Sequence, residues 1–119
     1  MKPRSAKAKG RKLQNNVRDL IQEHFPQLHP DDVVSTQMGG SGVDIQLSPA
    51  ARKVFPYSIE CKNTEKLNIW EALKQAETNV KDGTQAALFF KRNHSKTYVA
   101  IEAEHFFELI TKLQTVDKS

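Results

Sequence analysis

GGSGVDIQLSPAARKVFPYSIECKN, residues 39–63, decides how the rest of the chain is read. Val43, Ile45 and Leu47 alternate with Asp44, Gln46 and Ser48, and Tyr57, Ile59 and Cys61 alternate with Ser58, Glu60 and Lys62. A period of two marks half-buried strands. Two such strands joined by a basic loop make a hairpin. If it turns symmetrically near Arg52, Asp44 falls opposite Glu60 and Gln46 opposite Ser58. The apolar set then faces one way, and Asp44, Glu60 and Lys62 face the other.

Like charges directly opposite one another destabilise an antiparallel pair. Two close carboxylates also raise each other's pKa unless a cation lies between them. Lys62 is a partial remedy, and a divalent metal is a fuller one. Oxygen ligands favour a hard ion, Mg2+ with Mn2+ as substitute. A metal on two carboxylates beside a lysine suits phosphodiester hydrolysis: the ion polarises a phosphoryl oxygen and supplies hydroxide near neutral pH. The lysine orients water or neutralises developing charge. The plainer alternative is an amphipathic hairpin whose polar face is merely solvated. The surroundings favour chemistry: strand on both sides, glycines before Asp44, a helix after Lys62.

Gly42-Val43-Asp44 followed by Ile59-Glu60-Cys61-Lys62 resembles the PD-(D/E)XK nuclease core, with Val43 in place of the proline. The closer likeness is to small archaeal-type Holliday-junction resolvases and short tailed-phage nucleases, and it covers most of the chain. Lys9-Gly10 opens a helix as in the resolvases, and Gly39-Gly40-Ser41 is similar to their serine-containing loop. The resemblance implies that Asp44, Glu60 and the Cys61 carbonyl bind metal and that Lys62 assists the nucleophile. It also implies that Gln75, on the following helix, supports catalysis and that Ser41 contacts substrate. One position departs: the resolvase glutamate on the first helix is Gln14 here. An amide oxygen ligates more weakly than a carboxylate.

A chain of 119 residues, 38% hydrophobic and 27% charged, has the size and composition of one soluble domain. No apolar run reaches a membrane span, and no apolar core follows the basic N-terminus as a secretory signal requires. The single cysteine excludes an internal disulfide and fits a cytoplasmic setting, host cytoplasm if phage-encoded. It falls on the apolar side of its strand, as a small buried hydrophobe.

The net charge of +4 is a property of one end. Lys2, Arg4, Lys7, Lys9, Arg11 and Lys12 come before any acid, and without them the remaining basic residues are outnumbered by 14 acids. A basic arm is a usual device for holding phosphates. Residues 1–9 are read as an arm disordered until bound. Lys7, Lys9, Arg11 and Lys12, with Arg52 and Lys53 of the hairpin loop, are the candidate nucleic-acid contacts.

Elsewhere, Leu13, Val17, Leu20, Ile21 and His24 predict a helix from about Gly10 to His24, stopped by Pro26. Val33–Thr36 is β-prone. Asn68 and Glu71 resemble a capping box opening a helix that ends at Asp82-Gly83, with Trp70, Leu73, Ala76 or Glu77, and Val80 on one packed face. Trp70 is assigned to the core or a dimer contact. Ala86–Lys91 and Thr97–Ile101 are strands, the first buried on both faces. A last helix to Leu113 carries Phe106, Leu109, Ile110 and Leu113 on one side. Phe107 extends toward a partner, and His105 is placed at the surface.

The expected fold is α/β or α+β: a central mixed sheet of about five strands flanked by helices, restriction-endonuclease-like. Residues 10–114 form the single domain and 115–119 a frayed tail. The expected function is a metal-dependent endonuclease on branched DNA, working as a homodimer because two strands must be cut symmetrically. A non-catalytic DNA-binding protein, or a nuclease for single strands, flaps or RNA, is the alternative. No zinc spacing and no heme, flavin or nucleotide signature stands out.

Overall fold

The computed structural model describes residues 3–36 and 42–118. In order they form α1 (Pro3–His24), a single 3-10 turn (Pro30–Asp32), β1 (Val33–Ser35), β2 (Ile45–Leu47), α2 (Pro49–Val54), β3 (Tyr57–Asn63), α3 (Ile69–Thr78), β4 (Gln85–Lys91), β5 (Tyr98–Ala100) and α4 (Ala103–Lys118). The strands make one mixed sheet in sequence order. Only β3 and β4 run parallel, and α3 is the crossover that parallel neighbours require. This is the expected five-stranded α+β sheet. Among the described residues, no helix is long and apolar enough to cross a membrane.

Ile45 faces Ile59 across β2 and β3, so the register sets Asp44 against Glu60 and Gln46 against Ser58, as the alternation predicted. The connection is not a basic loop but the helix α2. Ser48 caps it by accepting the Ala51 amide at 3.1 Å, and Pro49 occupies its first turn.

The strands were expected to be half-buried, yet Ser58, Ile59, Glu60 and Cys61 are all buried. The sheet is covered on both faces at β3. On one side α1 lays Leu13, Val17 and Ile21 onto Val33, Ile45, Leu47, Ile59 and Cys61. Truncating a fully buried leucine such as Leu13 to alanine costs about 2–5 kcal/mol. On the other side α3 turns Ala72 and Ala76 inward, both buried. Their small side chains bring the helix close to the sheet. Ala76 lies on the expected face and Leu73 and Val80 are half-buried there, but Ala72 replaces Trp70, which is 78% exposed rather than core. β4 is buried at Ala87 and Leu88 and half-buried at Phe89 and Phe90.

Three boundaries differ from expectation. α1 begins at Pro3, since Ala6, Lys7, Ala8 and Lys9 are strong helix formers and carry the helix past Gly10. The Asn63 side chain donates to the Lys9 carbonyl at 3.1 Å and ties this turn to the end of β3. α3 stops at Thr78, capped by Asn79, and Gly83 (φ 79°) belongs to the turn before β4. α4 runs on to Lys118. His24 lies outside the core, exposed, with Nδ1 2.8 Å from the Leu20 carbonyl.

α4 is fastened near its start by His105, which is buried rather than at the surface. Its Nε2 lies 2.6 Å from the Tyr57 hydroxyl. Phe106, Phe107 and Leu113 stay exposed, so the expected packed face of this helix is uncovered in the single chain.

Candidate active site

Gly42 sets up the site. Its φ of 91° is left-handed, a region costing an L side chain about 1–2 kcal/mol. From there the chain enters the sheet. The Thr36 amide donates to the Asp44 carbonyl at 2.8 Å, and the Asp44 amide donates to the Ile59 carbonyl at 2.9 Å. With its backbone pinned on both sides, Asp44 directs its carboxylate onto β3, where Oδ2 accepts the Cys61 amide at 2.7 Å.

Glu60 lies on the α3 side of β3 and is 3% exposed. Asn79 at the end of α3 donates to its Oε2 at 3.4 Å and to the Gly42 carbonyl at 3.3 Å. One amide thus joins the carboxylate to the turn that delivers Asp44. Lys62 Nζ lies 4.0 Å from Glu60 Oε1, and its side chain is two-thirds buried.

Burial raises the pKa of Asp44, against the opposing pull of the Cys61 amide and Lys62. Glu60 is pushed to about 7, first by burial and then by the Asp44 charge, with Asn79 and Lys62 opposing. A desolvated pair of acids facing one ammonium is short of positive charge. The hard oxygens suit Mg2+ or Mn2+, and Mg2+ typically takes one or two protein carboxylates and keeps the rest of its shell for water and phosphate. Among the described residues, no group of three His, Cys, Asp or Glu gathers. Strand periodicity turns the backbone carbonyl of Cys61 to the same edge as the amide bonded to Asp44. The Cys61 thiol points into the core with its pKa raised by burial, which makes it inert.

Gln14 is 5% exposed, and its Oε1 has no hydrogen-bond partner among the described residues. An unsatisfied buried oxygen costs about 1–3 kcal/mol. No hydrogen bond joins it to Asp44 or Glu60. Gln75 is exposed, and its side chain touches neither carboxylate. Asn79, one turn further along α3, is the amide that reaches Glu60. The sequence holds one signal for Asn79, an amide four residues after Gln75, which the expected continuation of the helix to Asp82 hides.

Lys7, Arg11 and Lys12 are exposed on α1 and Lys9 is half-buried. The Asn63–Lys9 bond sets this basic turn beside the end of β3 that carries Lys62. Arg52 is not beside the carboxylates. It donates to the Leu47 carbonyl at 2.6 Å and staples α2 to the far end of β2, with Lys53 exposed next to it. Ser41 lies outside the described residues. Compared with protein-family models, curated proteins and solved structures, the chain gives no match, so the case for this site is its own geometry.

Proposed function

We propose that this chain is a divalent-metal-dependent endonuclease acting on DNA, with branched DNA as the favoured substrate. The observation that carries the reading is the pair of half-buried Asp44 and buried Glu60, set opposite one another by the β2–β3 register, with Lys62 4.0 Å from Glu60. Asp44, Glu60 and the Cys61 carbonyl would hold the ion, with Gln14 offering a further oxygen. The bound ion supplies Lewis acidity at the phosphoryl oxygen and a low-pKa water. Lys62 orients the attacking water and offsets charge on the phosphorane. Asn79 favours the charged form of Glu60 by hydrogen bonding to it, opposing the rise in its pKa. Lys7, Lys9, Arg11 and Lys12 lie on the flank where a DNA backbone would pass.

A paired cut across a junction needs two copies related by a two-fold axis. The surface suited to the second copy is apolar. Leu20 and Phe89 line a cavity of about 270 Å³ beside α1, and Val99, the partner of Phe89 on β5, continues the same face and is exposed. Leu20→Glu combined with Val99→Glu should convert a dimer to a monomer in sedimentation.

A second reading is a DNA-binding accessory protein without cleavage. Gln14, a neutral residue where the resolvase-like pattern has an acid, favours it. The test is a substrate panel with Mg2+: labelled four-way junction, duplex, flap and single strand. Symmetric nicks confined to the junction support a resolvase, and cleavage of every form supports a general nuclease. Binding without cleavage in Mg2+ and Mn2+ supports the accessory protein.

A further inference from the structure

A cavity of about 410 Å³ opens on the sheet face that carries Glu60 and Lys62, beyond the carboxyl ends of β3 and β4. Its size is that of a small-ligand site. Leu67, Ile69, Phe90 and Tyr98 form its apolar walls, with Glu65 and Arg92 at the polar edge. The register fixes the face. Lys62 pairs with Phe90 and Phe90 with Tyr98, so the three side chains project the same way. The Phe90 and Tyr98 rings are tilted with centroids 6.1 Å apart, and Tyr98 is 56% exposed, leaving ring surface open.

The frame is held by backbone contacts. The Thr64 amide donates to the Lys91 carbonyl at 3.2 Å, and the Asn93 amide to Glu65 Oε1 at 3.1 Å. Ser95 locks the 92–95 turn by accepting the Arg92 amide at 3.0 Å. Four residues of strand, about 13 Å, separate Glu60 from the cavity edge at Thr64. That is well under one duplex turn of about 34 Å.

We infer that this cavity receives a single unpaired nucleotide next to the cleavage site. The base stacks on Tyr98, an exocyclic amino group donates to the free oxygen of Glu65, and the flanking phosphate meets Arg92. Stacking on an aromatic ring accepts any base, whereas a carboxylate favours one bearing an exocyclic amino group, cytosine, adenine or guanine, over thymine. A fully paired duplex has no base to offer. The inference rests on the nuclease reading and deepens it, because an unpaired nucleotide is what separates a branched or frayed substrate from plain duplex.

The test is binding of fluorescein-labelled DNA by the full chain in EDTA, which blocks metal-dependent cleavage. One duplex is fully paired and the other carries one unpaired cytosine. The bulged duplex should bind about tenfold more tightly. Tyr98→Ala should remove that preference without changing affinity for paired duplex, Tyr98→Phe should keep it, and Leu67→Trp, which fills the cavity, should remove it. Equal affinity of the unsubstituted chain for both duplexes overturns the inference while leaving the nuclease reading intact. So does a preference that survives both Tyr98→Ala and Leu67→Trp. Binding to neither duplex removes both.

Discussion

The Asp44 carboxylate accepts the backbone N–H of Cys61 at 2.7 Å. Two residues earlier on the same edge of β3, the Ile59 carbonyl bonds the Asp44 amide. A side chain therefore takes over where the backbone of β2 stops pairing. It holds the first carboxylate against the strand that carries Glu60 and Lys62. Asp44→Asn keeps an acceptor for Cys61 and should fold normally. Loss of the charge should lower cleavage at least about 100-fold, a few kcal/mol of transition-state stabilisation, with DNA binding in EDTA unchanged. Single-turnover cleavage beside anisotropy measures both.

Asn79 is the residue that separates this site from a simple hairpin face. Asn79→Ala removes the donor to Glu60 and frees the Gly42 carbonyl. The carboxyl of Glu60 should then titrate higher, so the pH–rate profile should move to higher pH. Stability should fall by about 1–2 kcal/mol, since two long hydrogen bonds are lost. A lower rate at every pH with an unmoved profile would show that Asn79 does not hold Glu60 in its charged form.

The coupled acids predict an unusual pH dependence for the metal-free chain. Glu60 titrates at about 7 when folded, against 4.5 as an ordinary side chain. The folded state binds this proton more tightly. Its contribution is therefore complete below pH 4.5 and lost as pH rises through about 7, up to about 3 kcal/mol. Asp44, also raised, acts in the same direction. Asp32, lowered by the Ser48 hydroxyl, acts in the opposite direction, but only near and below its ordinary value of 3.8. Thermal melts in EDTA should show lower stability at pH 8 than at pH 5, and Mg2+ should restore the difference at pH 8. Greater stability at pH 8 without metal would contradict the desolvated pair.

The basic turns of α1 should be read through salt. Lys7→Ala, Arg11→Ala and Lys12→Ala remove exposed charges without breaking the helix. Each charge that meets a phosphate should reduce the slope of log affinity against log salt by about 1. Binding should weaken alike on junction and duplex. A slope unchanged by all three would remove α1 from the interface.

Sequence alternation was enough to place Asp44 against Glu60, because a one-residue slip would bring every side chain to the wrong face. It did not reveal that the polar face is covered. That depends on Ala72 and Ala76, whose small size lets α3 approach, and alanines give a weak periodic signal beside Trp70. The helix at 49–54 is hidden because it spans only six residues inside the stretch that the alternation marks as a hairpin loop. Asn79 was missed because its role arises from the end of α3 meeting the turn at Gly42, 37 residues away in sequence. Gln14 was legible as a position on the first helix, but its unpartnered oxygen was not.

The most direct measurement is Mg2+-dependent cleavage of one labelled four-way junction at pH 8 by the unsubstituted chain, Glu60→Ala and Lys62→Ala. The account predicts cleavage that requires Mg2+ or Mn2+, is abolished by EDTA and is lost in both variants while junction binding persists. Cleavage that persists in both variants, or an unsubstituted chain that binds the junction and leaves it intact in both metals, would contradict it.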